Sequence, residues 1–239
     1  MHERTGPSRD GRLSVAGVLF DIDGTLTRTN ELIFATFNFI TAKYCGRTYG
    51  PREIIALFGP PEEGALIAIV GEERLDAAMD DLCDFYSRHH HAMAGLHEGM
   101  DEVLAFLKTM GIPLGVFTGK GRRTAMITLE VLGIAGYFDL IVSGNDVIRH
   151  KPDPEGIRKF IEAFSLAPAE VLMVGDAMGD ITASRGAGAT SVAVLWDSYD
   201  RERVARAGAD VVFEEVGGFL SWLKREVRYV PDGARRQNN

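Results

Sequence analysis

The chain has 239 residues, of which 46% are hydrophobic and 25% charged, a balance typical of a globular protein with room for an inserted module. Its formal net charge of −8 argues against general nucleic-acid binding, which needs a basic surface. No apolar run reaches the ~18–20 residues of a membrane span. We therefore expect neither a nucleic-acid nor a membrane partner. The two cysteines form no metal-binding spacing, so we expect the protein in the reducing cytoplasm.

The beginning of the chain is polar and lacks the apolar segment of a signal peptide. We expect residues 1–11 and 229–239 to be flexible tails. Between them, short apolar runs alternate with helical patterns, which predicts a mostly parallel sheet with helices on both faces. The predicted strands are Val15–Phe20, Pro113–Thr118, Phe138–Ser143, Glu170–Gly175, Thr190–Leu195 and Ala209–Phe213.

One region breaks this alternation. Residues 28–97 contain helical periods separated by Gly and Pro and no convincing strand. We therefore expect a helical insert after the first strand, and a core formed by residues 12–27 and 98–228. Both cysteines, Cys45 and Cys83, should pack inside the insert.

Three consecutive histidines, His89–His91, lie near the end of the insert. Consecutive residues on a helix point in different directions, so they cannot form one metal-ligand set. The pattern favours a polar helix end.

Carboxylates follow the first and fourth predicted strands. Asp21 and Asp23 are two residues apart, so in extended backbone they face the same side. Asp176 and Asp180 follow the fourth strand. Because ligands bind beyond the carboxyl ends of strands in open α/β sheets, we expect these groups to lie close together.

Two further loops add a hydroxyl, a glycine and a lysine. Thr118 and Gly119 end the second strand, and Lys151 precedes Pro152 in the sequence RHKPDP. Each such residue taken singly is a common turn or cap residue, but their joint placement favours catalysis. The sequence GKG at positions 119–121 does not match a nucleotide-binding P-loop.

These groups suit transfer of a phosphoryl group. Asp21, Asp23 and Asp176 could share a Mg²⁺ ion, and Lys151 would add a positive charge that offsets their mutual repulsion. Asp21 could act as the nucleophile, because carboxylates form aspartyl-phosphates. Asp23 could protonate the leaving alcohol and then deprotonate the attacking water.

The four segments together resemble the haloacid dehalogenase superfamily, in its phosphatase and phosphomutase branch. They are DIDGTL, Thr118 in VFTGK, Lys151 in HKPDP, and GDAMGD, and the resemblance extends from about residue 15 to residue 213. It implies a Rossmann-like, doubly wound parallel sheet and an α-helical cap over residues 28–97.

The resemblance also implies a role for each site residue. Asp21 would be the nucleophile and a Mg²⁺ ligand, and Asp23 the acid and base, with its backbone carbonyl on the metal. Asp176 would bind Mg²⁺, and Asp180 would support the metal shell or Lys151. Thr118, Gly119 and Lys151 would bind the phosphate.

Specificity is expected in the insert, where residues 58–66 look like the substrate-specificity segment of phosphoglycolate phosphatase relatives. Glu62 and Glu63 stand where β-phosphoglucomutase relatives often have an arginine. Both are ordinary residues for the start of a helix. If they face the site, they would disfavour a second anionic group on the substrate. Arg47 and Arg52 could supply one positive contact, and a Schiff-base role for Lys43 is not favoured.

Three functions stay open. The first is a Mg²⁺-dependent phosphatase for a small phosphomonoester such as phosphoglycolate, and the second is a phosphomutase of the β-phosphoglucomutase type. The third, a receiver domain, fits poorly, because receivers are about half this size and lack the insert. The partner would be a small phosphorylated metabolite, and the chain a monomer or homodimer.

Overall fold

The computed structural model describes residues 12–229. Strands and helices alternate through most of this range. The strands are β1 (Leu13–Val15), β2 (Gly17–Phe20), β3 (Thr27–Arg28), β4 (Gly95–Leu96), β5 (Leu114–Phe117), β6 (Leu140–Val142), β7 (Val171–Gly175), β8 (Thr190–Val194), β9 (Val211–Phe213) and β10 (Val227–Tyr229). The helices are α1 (Asn30–Cys45), α2 (Pro51–Ile55), α3 (Glu62–Val70), α4 (Leu75–Met93), α5 (Met100–Thr109), α6 (Arg122–Val131), α7 (Glu155–Ala163), α8 (Met178–Ala187), α9 (Arg201–Ala205) and α10 (Val216–Glu226).

A six-stranded parallel sheet forms the core, in the order β6-β5-β2-β7-β8-β9. Each of the six predicted apolar runs contains one of its strands, which confirms the predicted fold class. Strands β2, β5 and β7 are buried along their whole length because helices cover both faces of the sheet.

Successive side chains of β2 enter opposite layers of the core. Val18 and Phe20 pack with apolar residues of α5, α6 and α10. Leu19 packs with residues of α7 and α8, including Phe160. The sheet therefore lies between two helical layers.

The predicted strand Val15–Phe20 is broken in the structure. The backbone bends at Ala16, whose N–H donates to the carbonyl of Glu170 at 2.7 Å. Strand β1 precedes the bend and pairs in parallel with β10, which the sequence did not predict, and Val15 is in register with Tyr229. Residue 229 was expected to begin a flexible tail, but Tyr229 belongs to β10. The rest of the two expected tails, residues 1–11 and 230–239, lies outside the described residues.

The four helices α1 to α4 and the loops that join them, called here the helical segment, lie between β3 and β4. These short strands pair antiparallel, with Thr27 opposite Leu96 and Arg28 opposite Gly95. The prediction of no strand between residues 28 and 97 was wrong at both ends, because two-residue strands leave no readable alternation. This pairing places the point where the chain leaves the core beside the point where it returns. We therefore propose that residues 28–97 form a separate cap domain.

The helical segment has apolar clusters of its own, one of them around Leu32, Phe37 and Tyr86. Cys83 is buried there, but Cys45 is exposed, which corrects the prediction that both cysteines pack inside. Within residues 12–229, none of the helices is both long and apolar enough to cross a membrane.

Candidate active site

A cavity of about 340 Å³ opens beyond the carboxyl ends of the central strands, between the sheet and the helical segment. The residues expected at the site line it, with the exception of Asp180, which is buried behind its wall. The predicted site residues in the lining are Asp21, Asp23, Thr118, Gly119, Lys151 and Asp176.

The loop after β2 fixes the position of Asp21. The Asp21 N–H donates to Val174 on the neighbouring β7 at 2.9 Å, and the Asp21 Oδ1 accepts the N–H of Ile22 at 2.7 Å. Gly24 then turns the chain with a φ of 77°. A Cβ at Gly24 would lie 2.5 Å from Asp176 Oδ2, so only glycine lets the two loops approach this closely.

Asp21, Asp176 and Asp180 form an acidic cluster. One carboxylate oxygen of each lies within 4.8 Å of the others, and no other group of three or more Asp, Glu, His or Cys side chains within residues 12–229 is arranged in this way. Thr25 Oγ1 donates to Asp176 at 3.1 Å, and the Ala177 N–H donates to Asp180 at 3.1 Å.

Lys151 lies against two members of this cluster. Its Nζ is 3.0 Å from Asp21 Oδ2 and 2.6 Å from Asp180 Oδ1. Burial lowers the pKa of Lys151, but the Asp180 and Asp21 carboxylates outweigh burial and raise the pKa above its usual value. Lys151 therefore remains a cation beside the cluster.

One lysine does not neutralise three carboxylates. Burial, with repulsion from Asp180 and Asp23, raises the pKa of Asp21 to about 6 although Lys151 opposes the shift. Burial and repulsion from Asp21 and Asp180 raise the pKa of Asp176 well above its usual value. Closely spaced carboxylate oxygens with uncompensated repulsion fit a hard divalent cation such as Mg²⁺.

The Asp23 carboxylate was expected to share Mg²⁺ with Asp21 and Asp176, but it lies outside the acidic cluster, and Asp180 is the third member instead. The Asp23 Oδ1 accepts a hydrogen bond from Thr29 Oγ1 at 2.5 Å, and its Oδ2 is 3.2 Å from Lys120 Nζ. Asp23 and Asp21 line the same cavity but have different hydrogen-bond and charge partners, so the two carboxylates can have different chemical roles.

Lys120 was not predicted as a site residue. Its side chain is 3% exposed; Nζ lies 3.8 Å from Glu62 Oε1, in addition to Asp23, and 4.6 Å from the Tyr86 ring centroid. Burial lowers the pKa of Lys120, but Asp23, Tyr86 and Glu62 outweigh burial and raise it. The sequence feature that could have indicated Lys120 is its position two residues after Thr118, at the end of a predicted strand.

Glu62 connects the helical segment to the core. Its carboxylate accepts the N–H of Gly121 and the hydroxyl of Thr124, each at 2.5 Å, and it lines the cavity. Near it, a Cβ at Gly119 would lie 3.0 Å from the carbonyl oxygen of Gly59, so the two loops are in close contact.

The other charged residues expected near the site lie elsewhere. Glu63 is not part of the cavity lining, and neither arginine lines it: Arg47 is paired with Glu53 at 3.6 Å, and Arg52 is exposed. Lys43 is exposed and pairs with Asp81, away from the cavity.

The three histidines do point in different directions, but only two of them are polar surface residues. His89 and His91 are exposed, whereas His90 is buried, with its Nε2 3.3 Å from Thr128 Oγ1. The prediction of a polar helix end was therefore wrong for His90. Burial, with help from Lys120 and His91, lowers the pKa of His90 to about 4.

The chain is similar to known proteins over most of its length. A pyrophosphatase PpaX from Anoxybacillus flavithermus is 32% identical over 211 residues, which are 88% of this chain and 98% of that protein. A solved hydrolase from Pseudomonas syringae is 26% identical with a TM-score of 0.73, over 89% of this chain and 100% of that one. A predicted phosphoglycolate phosphatase from Haemophilus somnus, at 21% identity, shares the fold with a TM-score of 0.76, over 87% of this chain and 97% of that one.

The sequence model of the haloacid dehalogenase-like hydrolase family matches residues 18–194, which hold every predicted site residue. A receiver domain is thereby excluded. The name of the Anoxybacillus flavithermus relative says that it acts on pyrophosphate. The chain belongs to the haloacid dehalogenase-like hydrolase family, and it is a phosphoric-ester hydrolase.

Proposed function

We propose that the protein is a Mg²⁺-dependent phosphatase that hydrolyses a small phosphomonoester through an aspartyl-phosphate on Asp21. The observation that carries this proposal is the position of the Asp21 carboxylate, which faces the cavity within 3.0 Å of Lys151 and within the acidic cluster. A nucleophilic carboxylate needs neutralising charge nearby, because the phosphoryl group that it attacks is itself an anion.

Asp21, Asp176 and Asp180 carry the oxygens that would hold Mg²⁺, together with the backbone carbonyl that we propose for Asp23. Bound there, the ion would neutralise negative charge on the phosphoryl group and on the cluster. Lys151 and the hydroxyl of Thr118, with Gly119 beside it, would hold the phosphoryl oxygens against Asp21.

The reaction then has two steps. In the first, an Asp21 oxygen forms a bond to phosphorus, the bond from phosphorus to the ester oxygen breaks, and Asp23 gives its proton to the leaving alcohol. In the second, Asp23 takes a proton from water, the water oxygen attacks phosphorus, and the bond to Asp21 breaks, which releases phosphate and restores both carboxyl groups. The separate partners of Asp23, Thr29 and Lys120, support this separate role.

A phosphomutase of the β-phosphoglucomutase type would share the first step and return the phosphoryl group to a sugar. The family's name and the names of its relatives favour attack by water. We further propose that the enzyme works in the cytoplasm as a monomer or homodimer. Its two cysteines, both free in the structure, support a reducing compartment.

Intact-protein mass spectrometry after acid quench tests the two aspartates. The substrate is an aryl phosphate, whose good leaving group needs little acid catalysis. Asp23→Asn should accumulate a phosphoryl adduct because the second step lacks its base, and Asp21→Asn should show neither adduct nor turnover. Asp101→Asn, an exposed residue on α5, should turn over like the wild type. An adduct or normal turnover in Asp21→Asn would show that the nucleophile is elsewhere.

A further inference from the structure

Most of the residues that the helical segment contributes to the cavity lining are apolar, and they are called here the apolar wall. We infer that the substrate's leaving group is an uncharged alcohol with an apolar, preferably aromatic, body, and not glycolate or a second phosphate. This inference rests on the proposed phosphatase function and names the substrate class for the same site. It also replaces the expectation of a phosphoglycolate-like ester.

The side chains of the apolar wall are aliphatic or aromatic. Ile33, Phe37, Leu57, Phe58 and Ala65 all line the cavity. An apolar wall of this kind gains free energy by covering an apolar ligand and contributes nothing to a charged one.

Aromatic rings complete the wall on both sides of the opening. Phe58 lies 6.4 Å from Phe34 in a stacked arrangement and 5.8 Å from Tyr199 edge to face, both measured between ring centroids. Phe58 belongs to the helical segment, whereas Tyr199 follows β8 in the core. Both remain partly exposed, 37% and 43%, so each ring has a face that a ligand could cover.

The charges of the cavity do not fit a second anion. Among the described residues that line it, the cations are Lys120 and Lys151, and both already face two carboxylates within 4 Å. Glu62 adds a carboxylate on the side of the helical segment. A carboxylate or phosphate on the leaving group would therefore be buried beside like charges without a free cation.

A substrate series measures this preference directly. Benzyl phosphate, 2-phosphoglycolate and inorganic pyrophosphate would be compared with Mg²⁺ present, by phosphate release, as kcat/KM. The alcohols of the first two have comparable basicity, so their ratio reports contacts with the wall. We expect benzyl phosphate to be favoured over each anionic substrate about tenfold or more. A kcat/KM for phosphoglycolate or pyrophosphate equal to or above that for benzyl phosphate would overturn the inference.

Variants link the preference to the wall. Phe58→Ala should lower kcat/KM for benzyl phosphate about tenfold and leave phosphoglycolate within about twofold, and Tyr199→Ala should act in the same direction. Ile55→Ala is the control, because Ile55 is also 37% exposed on the helical segment and does not line the cavity. Equal losses for both substrates in both aromatic variants, with unchanged melting temperatures, would contradict the role of the wall.

Failure of the proposed function has a different signature. If the wild-type protein releases phosphate neither from any of the three compounds nor from an aryl phosphate, the phosphatase proposal is overturned, and this inference with it. A wild type that hydrolyses benzyl phosphate or an aryl phosphate but prefers the anionic substrates overturns the inference alone.

Discussion

Lys120 is a buried cation between two carboxylates that come from different parts of the chain. Asp23 belongs to the loop after β2, and Glu62 belongs to the first turn of α3 in the helical segment. The lysine therefore balances charge at the contact between the segment and the core. Removing it would leave Asp23 and Glu62 facing the same buried space without a counter-ion.

Lys120→Met should lower the free energy of unfolding by about 3–5 kcal/mol, because the buried carboxylates that it leaves behind lose their counter-ion. Urea unfolding of the wild type and the variant at neutral pH measures this difference. The matched control is Arg123→Met, since Arg123 on α6 also pairs with the helical segment, through Asp80 at 2.9 Å, but at the exposed surface. The control should cost less than about 1 kcal/mol, and equal losses in both variants would refute the special position of Lys120.

Individual site residues could be expected from the sequence where a strand end fixed their place. Asp21, Asp176 and Lys151 were expected to lie near one another, and the structure places them around one cavity. Lys120 was not expected at the site although it follows a strand end, and Glu62 was considered only for substrate specificity. The charge contact between them joins segments about 60 residues apart, and nothing local in the sequence reports that contact.

At the scale of elements, α4 and α6 form the main contact between the helical segment and the core. Tyr86 and His90 on α4 both approach the hydroxyl of Thr128 on α6, at 2.9 Å and 3.3 Å. Because burial holds the pKa of His90 at about 4, the folded protein keeps the ring neutral at pH values where the unfolded chain, with a histidine pKa near 6.5, takes up a proton.

This difference predicts a loss of stability in mild acid. The contribution of His90 is complete above about pH 6.5 and decreases as the pH falls toward 4, since only the unfolded state gains the proton. Between pH 7 and pH 5, the wild type should lose about 1–2 kcal/mol more unfolding free energy than His90→Gln.

Urea titrations of both proteins at the two pH values provide the measurement. His89→Gln serves as the control, because His89 is the neighbour of His90 on α4 but its ring is exposed. A pH dependence of His90→Gln identical to that of the wild type would contradict the prediction.

The elements that the sequence predicted well differ physically from those that it did not. The six sheet strands lie within longer apolar runs, and β2, β5 and β7 are buried along their whole length, which makes those runs nearly continuous. Strands β1, β3, β4 and β10 have two or three residues each, too few for a period to appear. Their pairing depends on partners more than 60 residues away.

At the scale of the whole molecule, an acidic chain concentrates negative charge at one buried site. The formal net charge is −8, and three carboxylates share the cluster beyond β2 and β7. In the absence of a bound cation this cluster opposes folding, so a cation that binds the folded state should stabilise the entire chain.

Addition of Mg²⁺ to chelator-treated protein should therefore raise the melting temperature. Saturation about 100-fold above the dissociation constant corresponds to about 2.7 kcal/mol, or roughly 5–10 °C for a chain of this size. Phosphate release should stop in excess chelator. Differential scanning calorimetry of the wild type, Asp176→Asn and the exposed control Asp101→Asn would test this, with the increase lost in Asp176→Asn alone. Full turnover in chelator, or an equal increase in Asp176→Asn, would contradict the site.

The parallel pairing of β1 with β10 has a topological consequence. It places Leu13 and Tyr229, near the two limits of the described chain, in adjacent strands and about 8 Å apart by the ordinary spacing of paired strands. Because the two strands are parallel, a connection from Tyr229 back to Leu13 must cross over the pair, which takes roughly a dozen residues or more. With such a linker the fold is suited to circular permutation, in which these two positions are joined and new ends are opened in a surface loop.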